Sequence, residues 1–271
     1  MLSILCSYLF YFLQVGLSGS SAIIVAAYKG LMEFFGLTLH DLNLELAGAL
    51  TSLFCSDVSL DFPQIILDIE REELGIAAGL QDRVIQTYGG IVHMDFTSMQ
   101  TETKGVYTPL DPAMLPELYL LYNTEEGGDS GKVHSTAKSR WLNGDPVVVA
   151  GHYPFFSIIT LCLGMKALGQ LADEAKECLI NGDMTTLATL MNHNFQLRRE
   201  LYGDEVVGKK NILVANLANK LGFACKFTGS GGAFVCLQMN GEGWLSSDEE
   251  LKVKEEFQKE GFQLIRIEKL V

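Results

Sequence analysis

The chain has 271 residues, 48% hydrophobic and 20% charged, enough for one large core or two small ones and too apolar for a disordered polypeptide. Its 20 basic and 33 acidic side chains give a net charge of -13 with no basic run, which argues against nucleic acid or an anionic membrane surface as partner. Six cysteines, Cys6, Cys55, Cys162, Cys178, Cys225 and Cys236, show neither CxxC nor metal-spaced histidines, and read as reduced, buried thiols of an intracellular protein.

In chain order, MLSILCSYLFYFLQV is an uncharged apolar run without a basic leader. Its roughly 13 apolar-dominated residues fall short of the ~20 needed to cross a bilayer, so it reads as a buried strand. VGLSGSSAIIVAAYKG, residues 15–30, reads as a loop opening a helix from about Ser20 to Phe35, stopped by Gly36. A second apolar segment from Ile65 to Glu73 leads into GIAAGLQDR, and YGGIVHMDF and LYLLYN alternate or run apolar as strands do. Residues 147–164, VVVAGHYPFFSIITLCLG, gather β-branched and aromatic residues around Pro154 and match neither the polar loop before them nor the helix after them. Helices are predicted over Met165–Leu179, from Asp183 as N-cap through NFQLRREL, and over Asp204–Leu221. KFTGSGGAFVCLQM reads as loop and strand, Ser247 and Glu250 have capping-box spacing for a helix ending at Gly261, and FQLIRI closes the chain as a strand.

The loop before the first helix poses the chemical question. Free backbone N–H groups and the positive end of a helix dipole converge there, and such a point attracts phosphate. The stretch is no Walker A motif, because Ser20 and Ser21 run into Ala22 without a lysine, and Gly16 and Gly19 do not make GxGxxG. Alone, it serves equally as a plain turn into a helix.

Other blocks sharpen the reading. GLSGSSA, AGLQDRVIQTYGGIVHMDF, DSGKVHS at residues 129–135, NFQLRRELYGDE at residues 194–205 and KFTGSGGA at residues 226–233 resemble the GHMP small-molecule kinases, and within them the glucuronokinase branch. The similarity runs from about Val15 to Gln238 with one interruption. The resemblance implies an α+β, two-domain GHMP kinase fold: a truncated N-terminal domain over residues 15–115 and a ferredoxin-like C-terminal domain over residues 116–271. It also implies ATP and Mg2+ as cofactors. Gly16, Leu17, Ser18, Gly19, Ser20, Ser21 and Ala22 would cradle the phosphates, with the Ser21 hydroxyl on Mg2+ and Glu70 as second metal ligand, although Glu72 and Glu73 crowd it. Asp82 would orient the attacking sugar hydroxyl and take its proton late, while Arg83 could simply pair with Asp82. Thr228, Gly229, Ser230, Gly231 and Gly232 would form a second phosphate loop facing the first across a cleft, with Lys226 either a phosphate partner or a snorkelling surface lysine.

A uronic acid needs a fixed cation for its carboxylate, and Lys132, His134, Arg198 and Arg199 are those available in the family-like blocks. The expected activity is therefore transfer of the ATP γ-phosphate to the anomeric hydroxyl of D-glucuronate, in the cytoplasm, with no nucleic-acid or membrane partner and the oligomeric state open. Two departures stand against it: the family's first motif has no counterpart here, and residues 1–14 and 147–164 look foreign to the fold. A chain without the missing strands would carry an open sheet edge and weak or no activity. The alternatives are an inactive form acting as a binding or regulatory partner, and a kinase of the same fold for galactose, fucose or a heptose.

Overall fold

A computed structural model describes residues 18–37, 62–75, 79–97, 105–124, 156–229 and 231–268, with backbone alone at residue 20 and at residues 156–163. The described residues fall into two compact units, divided between Pro109 and Leu110.

The first unit is mainly helical. Helix α1 spans Gly19–Phe35, and Gly36 ends it at φ 64, the left-handed conformation that lets its N–H turn back to Glu33 O, so the predicted bounds hold to within a residue. Helix α2, Phe62–Asp68, runs into a π-turn, Ile69–Glu73, closed by Leu74 N–H donating to Ile69 O at 3.2 Å. Helix α3 spans Leu80–Tyr88, and strands β1 (Ile91–Asp95) and β2 (Val106–Leu110) form a two-stranded sheet. Sequence pattern announces β1 but not β2, whose VYTPL carries the proline that usually argues against a strand. Val25, Phe62 and Ile66 make one buried cluster, and Leu67, Leu80 and Val84 another, over Val92, Met94 and Tyr107.

Inside this unit lies a buried ion pair. Arg83 of α3 is 2% exposed and Glu70 of the π-turn 0%, and the arginine donates from Nε and Nη2 to Glu70 Oε2. Leu80, Arg83 and Val84 occupy one stripe of α3, so the guanidinium enters the interior along with the apolar residues and needs an anion there.

The second unit is an α+β layer structure around a four-stranded antiparallel sheet. Its strands are β3 (Leu118–Asn123), β4 (Phe223–Phe227), β5 (Ala233–Gln238) and β6 (Phe262–Ile267), in the order β4-β5-β3-β6. With helices between β3 and β4 and between β5 and β6, this is the ferredoxin-like βαββαβ arrangement. Register sets Tyr119 opposite Cys236 and Arg266, and Leu121 opposite Phe234 and Leu264. Because side chains alternate across the pleat, Tyr119, Leu121, Phe223, Cys225, Phe234 and Leu264 bury one face with Val214, Ala218 and Phe257. Leu118, Ala224 and Leu237 bury the other, against Cys178, Leu187, Ala188 and Met191.

Four helices and a short one complete the unit, with three differences from the sequence pattern. Helix α4 spans Phe156–Asn181, so residues 156–164 of the segment judged foreign continue the following helix, while residues 147–155 lie outside the described residues. Asp183 caps α5 (Met184–Tyr202) as predicted, its Oδ1 accepting from Thr186 N–H at 3.0 Å. The single helix expected over 204–221 is broken: Gly208 at φ 88 separates α6 (Asp204–Val207) from α7 (Lys209–Lys220). Helix α8, Ser247–Lys259, is capped one residue earlier than expected, by Ser246, whose N–H and hydroxyl both donate to Glu249 Oε2. That register turns Glu250 inward. Glu250, 6% exposed, accepts from Lys254 Nζ at 2.6 Å, Arg266 Nε at 2.6 Å and the Tyr119 hydroxyl at 3.2 Å, tying α8 to β3 and β6. Cys178, Cys225 and Cys236 are free and buried, with burial raising the Cys178 and Cys236 thiols, in line with inert core residues; Cys6, Cys55 and the Cys162 side chain lie outside what is described.

Two predictions follow from these ion pairs. Burial alone would raise the Glu250 carboxyl, but the Lys254 and Arg266 hydrogen bonds outweigh it and hold the pKa below the ordinary value. The pair's stabilisation is thus present above the unfolded carboxyl pKa and lost as pH falls through the lower folded one. In urea titrations at pH 7, Glu250→Gln is expected to cost about 1–3 kcal/mol, and the difference from the parent should shrink toward pH 3. Arg83→Met strands a buried carboxylate and should cost about 3–5 kcal/mol, with Glu70→Gln added to it recovering part; a double variant no more stable than Arg83→Met would count against the pair.

Candidate functional site

The first unit carries the loop-to-helix junction. Ser18 sits at φ 59 and ψ 31, the one non-glycine with positive φ among the described residues, and immediately precedes the right-handed α1. Holding a serine there costs on the order of 1 kcal/mol. A left-handed residue followed by a right-handed one curls successive N–H groups into a concavity suited to an anion. Ser18 O accepts from Ala22 N–H at 3.0 Å and from the Ser21 hydroxyl at 3.0 Å, leaving the amides of Gly19, Ser20 and Ser21 as the unpaired donors of the first turn. No acidic or basic side chain occupies that turn, and Ser21 is fully buried. Gly16 and Leu17 lie outside the described residues.

The three acids of the IEREE turn separate cleanly. Glu70 is fully buried while Glu72 and Glu73 face solvent, because the π-turn rotates the first of them inward. Its Oε2 is taken by Arg83, and its Oε1 is buried with no hydrogen-bond partner. An orphaned, buried carboxylate oxygen is the kind of atom a bound cation satisfies. No cluster of three potential metal-ligating side chains occurs among the described residues, so a divalent ion would be completed by water and phosphate oxygens, as Mg2+ ordinarily is.

Asp82 occupies the first turn of α3 after Gly79. Its carboxylate is 48% exposed and touches Arg83 Nη1 only at 3.4 Å, while the same Nη1 donates to Gly79 O at 2.8 Å. The sequence suggested Asp82 as the partner of Arg83, whereas the main partner is Glu70, thirteen residues back. The buried-stripe position of Arg83 is the signal that calls for a remote acid. Asp82 is left facing outward as a carboxylate with little else to do.

In the second unit, the β4–β5 connection is the glycine loop. Thr228 N–H and hydroxyl both donate to Ala233 O, at 3.2 and 3.4 Å, and Asn123 N–H donates to Gly232 O at 2.9 Å. Gly231 at φ 134 and Gly232 at φ 82 adopt backbone that side chains resist, and a Cβ on Gly231 would stand 3.3 Å from Asn211 Nδ2. Ser230, Lys132 and His134 lie outside the described residues.

The two arginines of the LRREL block part company. Arg199 turns outward into a bidentate pair with Asp204, both bonds 2.8 Å, which keeps its pKa raised. Arg198 turns inward, donates from Nη1 to Gly229 O at 2.7 Å, and is lowered in pKa by burial. Lys226 is drawn in rather than snorkelling: its Nζ donates to Phe227 O at 2.7 Å.

No protein-family model matches the chain. It is 41% identical over 93% of its length to "Glucuronokinase 1" of Arabidopsis thaliana, and 40% identical over 92% to "Probable glucuronokinase 2" of the same plant. The chain spans 60% and 59% of the lengths of those curated relatives. In structure it is similar to L. major mevalonate kinase, solved with R-mevalonate, at a TM-score of 0.52 and 19% identity, covering 92% of this chain and 64% of that one, which speaks for the fold alone. Helix–loop junction, ferredoxin-like sheet and sequence kinship agree: the chain belongs to the GHMP small-molecule kinase superfamily and is related to its glucuronokinases.

Proposed function

We propose that the chain carries the machinery of an ATP-dependent sugar kinase that phosphorylates D-glucuronate at the anomeric hydroxyl. The observation that carries this reading is Asp82: a half-exposed carboxylate, fixed on the first turn of α3 beside a buried Glu70–Arg83 pair, inside a sequence 41% identical to a glucuronokinase.

The residues fit the groups such a reaction uses. Mg2+ neutralises charge on the transferring phosphoryl group when bound, and Ser21 with the free Glu70 Oε1 would hold it. The amides of Gly19, Ser20 and Ser21 would receive phosphate oxygens, with Gly16, Leu17, Ser18 and Ala22 completing that loop, and Thr228 to Gly232 would supply a second set. Asp82 would accept a hydrogen bond from the sugar hydroxyl, orient it for attack and take its proton late. Any carboxylate bound at Arg198 or Arg199 would compete with Gly229 O or Asp204, whereas Lys132 and His134 are the other cations of the family-like blocks.

The assay is coupled ADP release from ATP and glucuronate, beside galactose, fucose and a heptose. Asp82→Asn should lower kcat by about 10²–10⁴ with KM for ATP little changed. Wild-type kcat in that variant would remove Asp82 from its role. ATP binding without turnover on any of the sugars would favour the binding-partner reading instead. Fractionation that recovers the protein outside the cytosol would overturn the cytoplasmic assignment.

A further inference from the structure

Two cations lie behind the glycine loop, and neither has a carboxylate partner among the described residues. Arg198 reaches from α5 and spends one nitrogen on Gly229 O, while its Nε is buried with no partner at all. Lys226, next to last in β4, folds back onto the carbonyl of its own neighbour, Phe227. Burial first, and the nearby Arg198 charge second, lower the Lys226 pKa to about 8. Its surroundings explain this: β5 presents Val235 opposite, α7 presents Asn211 toward the loop, and Arg198 of α5 is the charged neighbour acting on it. A chain with 33 acidic side chains places two desolvated cations together here and leaves them without an anion.

Their bonds also orient the loop. Both accept-side partners are main-chain oxygens, Phe227 O and Gly229 O, drawn inward. In a trans peptide the C=O and N–H point oppositely, so an inward carbonyl puts the positive end of its dipole on the outer side. Gly231 and Gly232 then let a ligand approach without side chains in the way.

We propose that Arg198 and Lys226 are positioning residues for a phosphate anion at the 228–232 loop, holding its carbonyls inward and supplying positive field from behind without touching the anion. The inference deepens the kinase reading and rests on it for naming the anion as a nucleotide polyphosphate. It assigns Arg198 a place behind the loop rather than on a sugar carboxylate.

Proton linkage follows. An anion outside the loop favours charged Lys226, so binding takes up a proton near pH 8, and affinity falls as pH rises beyond it. Calorimetric titration of the full chain with Mg2+–ADP, and separately with inorganic pyrophosphate, over pH 7–9.5 in buffers of differing ionisation enthalpy, reads both effects. Above pH 8 the wild-type dissociation constant should rise toward tenfold per pH unit, with proton uptake on binding. Lys226→Arg, charged throughout, should bind at pH 7 and show a flat profile. Arg198→Lys should retain more affinity than Arg198→Met. A flat wild-type profile, or a Lys226→Arg profile that falls like the parent's, overturns the inference while leaving the kinase reading intact. Pyrophosphate binding with the expected pH dependence but no ADP binding supports the inference and removes the nucleotide. Failure of both ligands to bind overturns it. Lys226→Arg decides the matter even should Lys226→Met fail to fold.

Discussion

The first unit depends on the Arg83–Glu70 pair. A helix turns about 100° per residue, so driving Arg83 into the interior aims Asp82 elsewhere, and here that is toward solvent. The same pair holds the π-turn against the first turn of α3 through Glu70 and ties Gly79 O into the same guanidinium. One buried charge pair thus sets the direction of the carboxylate on which the chemistry rests. Such pairs do not stabilise much over an apolar replacement, but losing one partner leaves the other stranded, so the two residues specify a single arrangement.

Much of this was readable before any coordinates. Gly36 and Asp183 act where helix-stop and N-cap chemistry put them, and LYLLYN becomes β3 without a residue's change, because local signals of that kind need no tertiary partner. The misses have a different character. Ser246 and Ser247 each stand three residues before a glutamate, and only the demand for a carboxylate beside Arg266 and Tyr119 selects the first as cap. Gly208 ends a helix that periodicity carries straight through, and VYTPL becomes a strand through pairing with β1. The candidate site shows the same division: Asp82, Ser21 and the glycine loops are visible as motifs, but Glu70's burial, Arg198's inward turn and its separation from Arg199 depend on packing that no short stretch encodes.

Charge is placed with economy across the second unit. Glu250 enters the interior only where Lys254, Arg266 and a tyrosine hydroxyl meet it, and Arg266 also lies 4.9 Å over the Trp244 ring. Lys226 and Arg198 enter with carbonyl oxygens alone. The first arrangement is complete in itself and serves cohesion; the second is left electrostatically open, and it borders a turn whose glycines admit a ligand's approach.

The π-turn sets a limit on how this segment can vary. Its i-to-i+5 closure inserts extra chain between α2 and Leu74, and that phase is what carries Glu70 to the inside. Side chains at Glu72 and Glu73 can be exchanged freely because they face water, whereas deleting any one residue between 69 and 73 would swing the buried acid round by roughly 100°. Length, more than composition, is therefore what this short stretch must conserve through drift: substitutions accumulate there, and insertions or deletions do not.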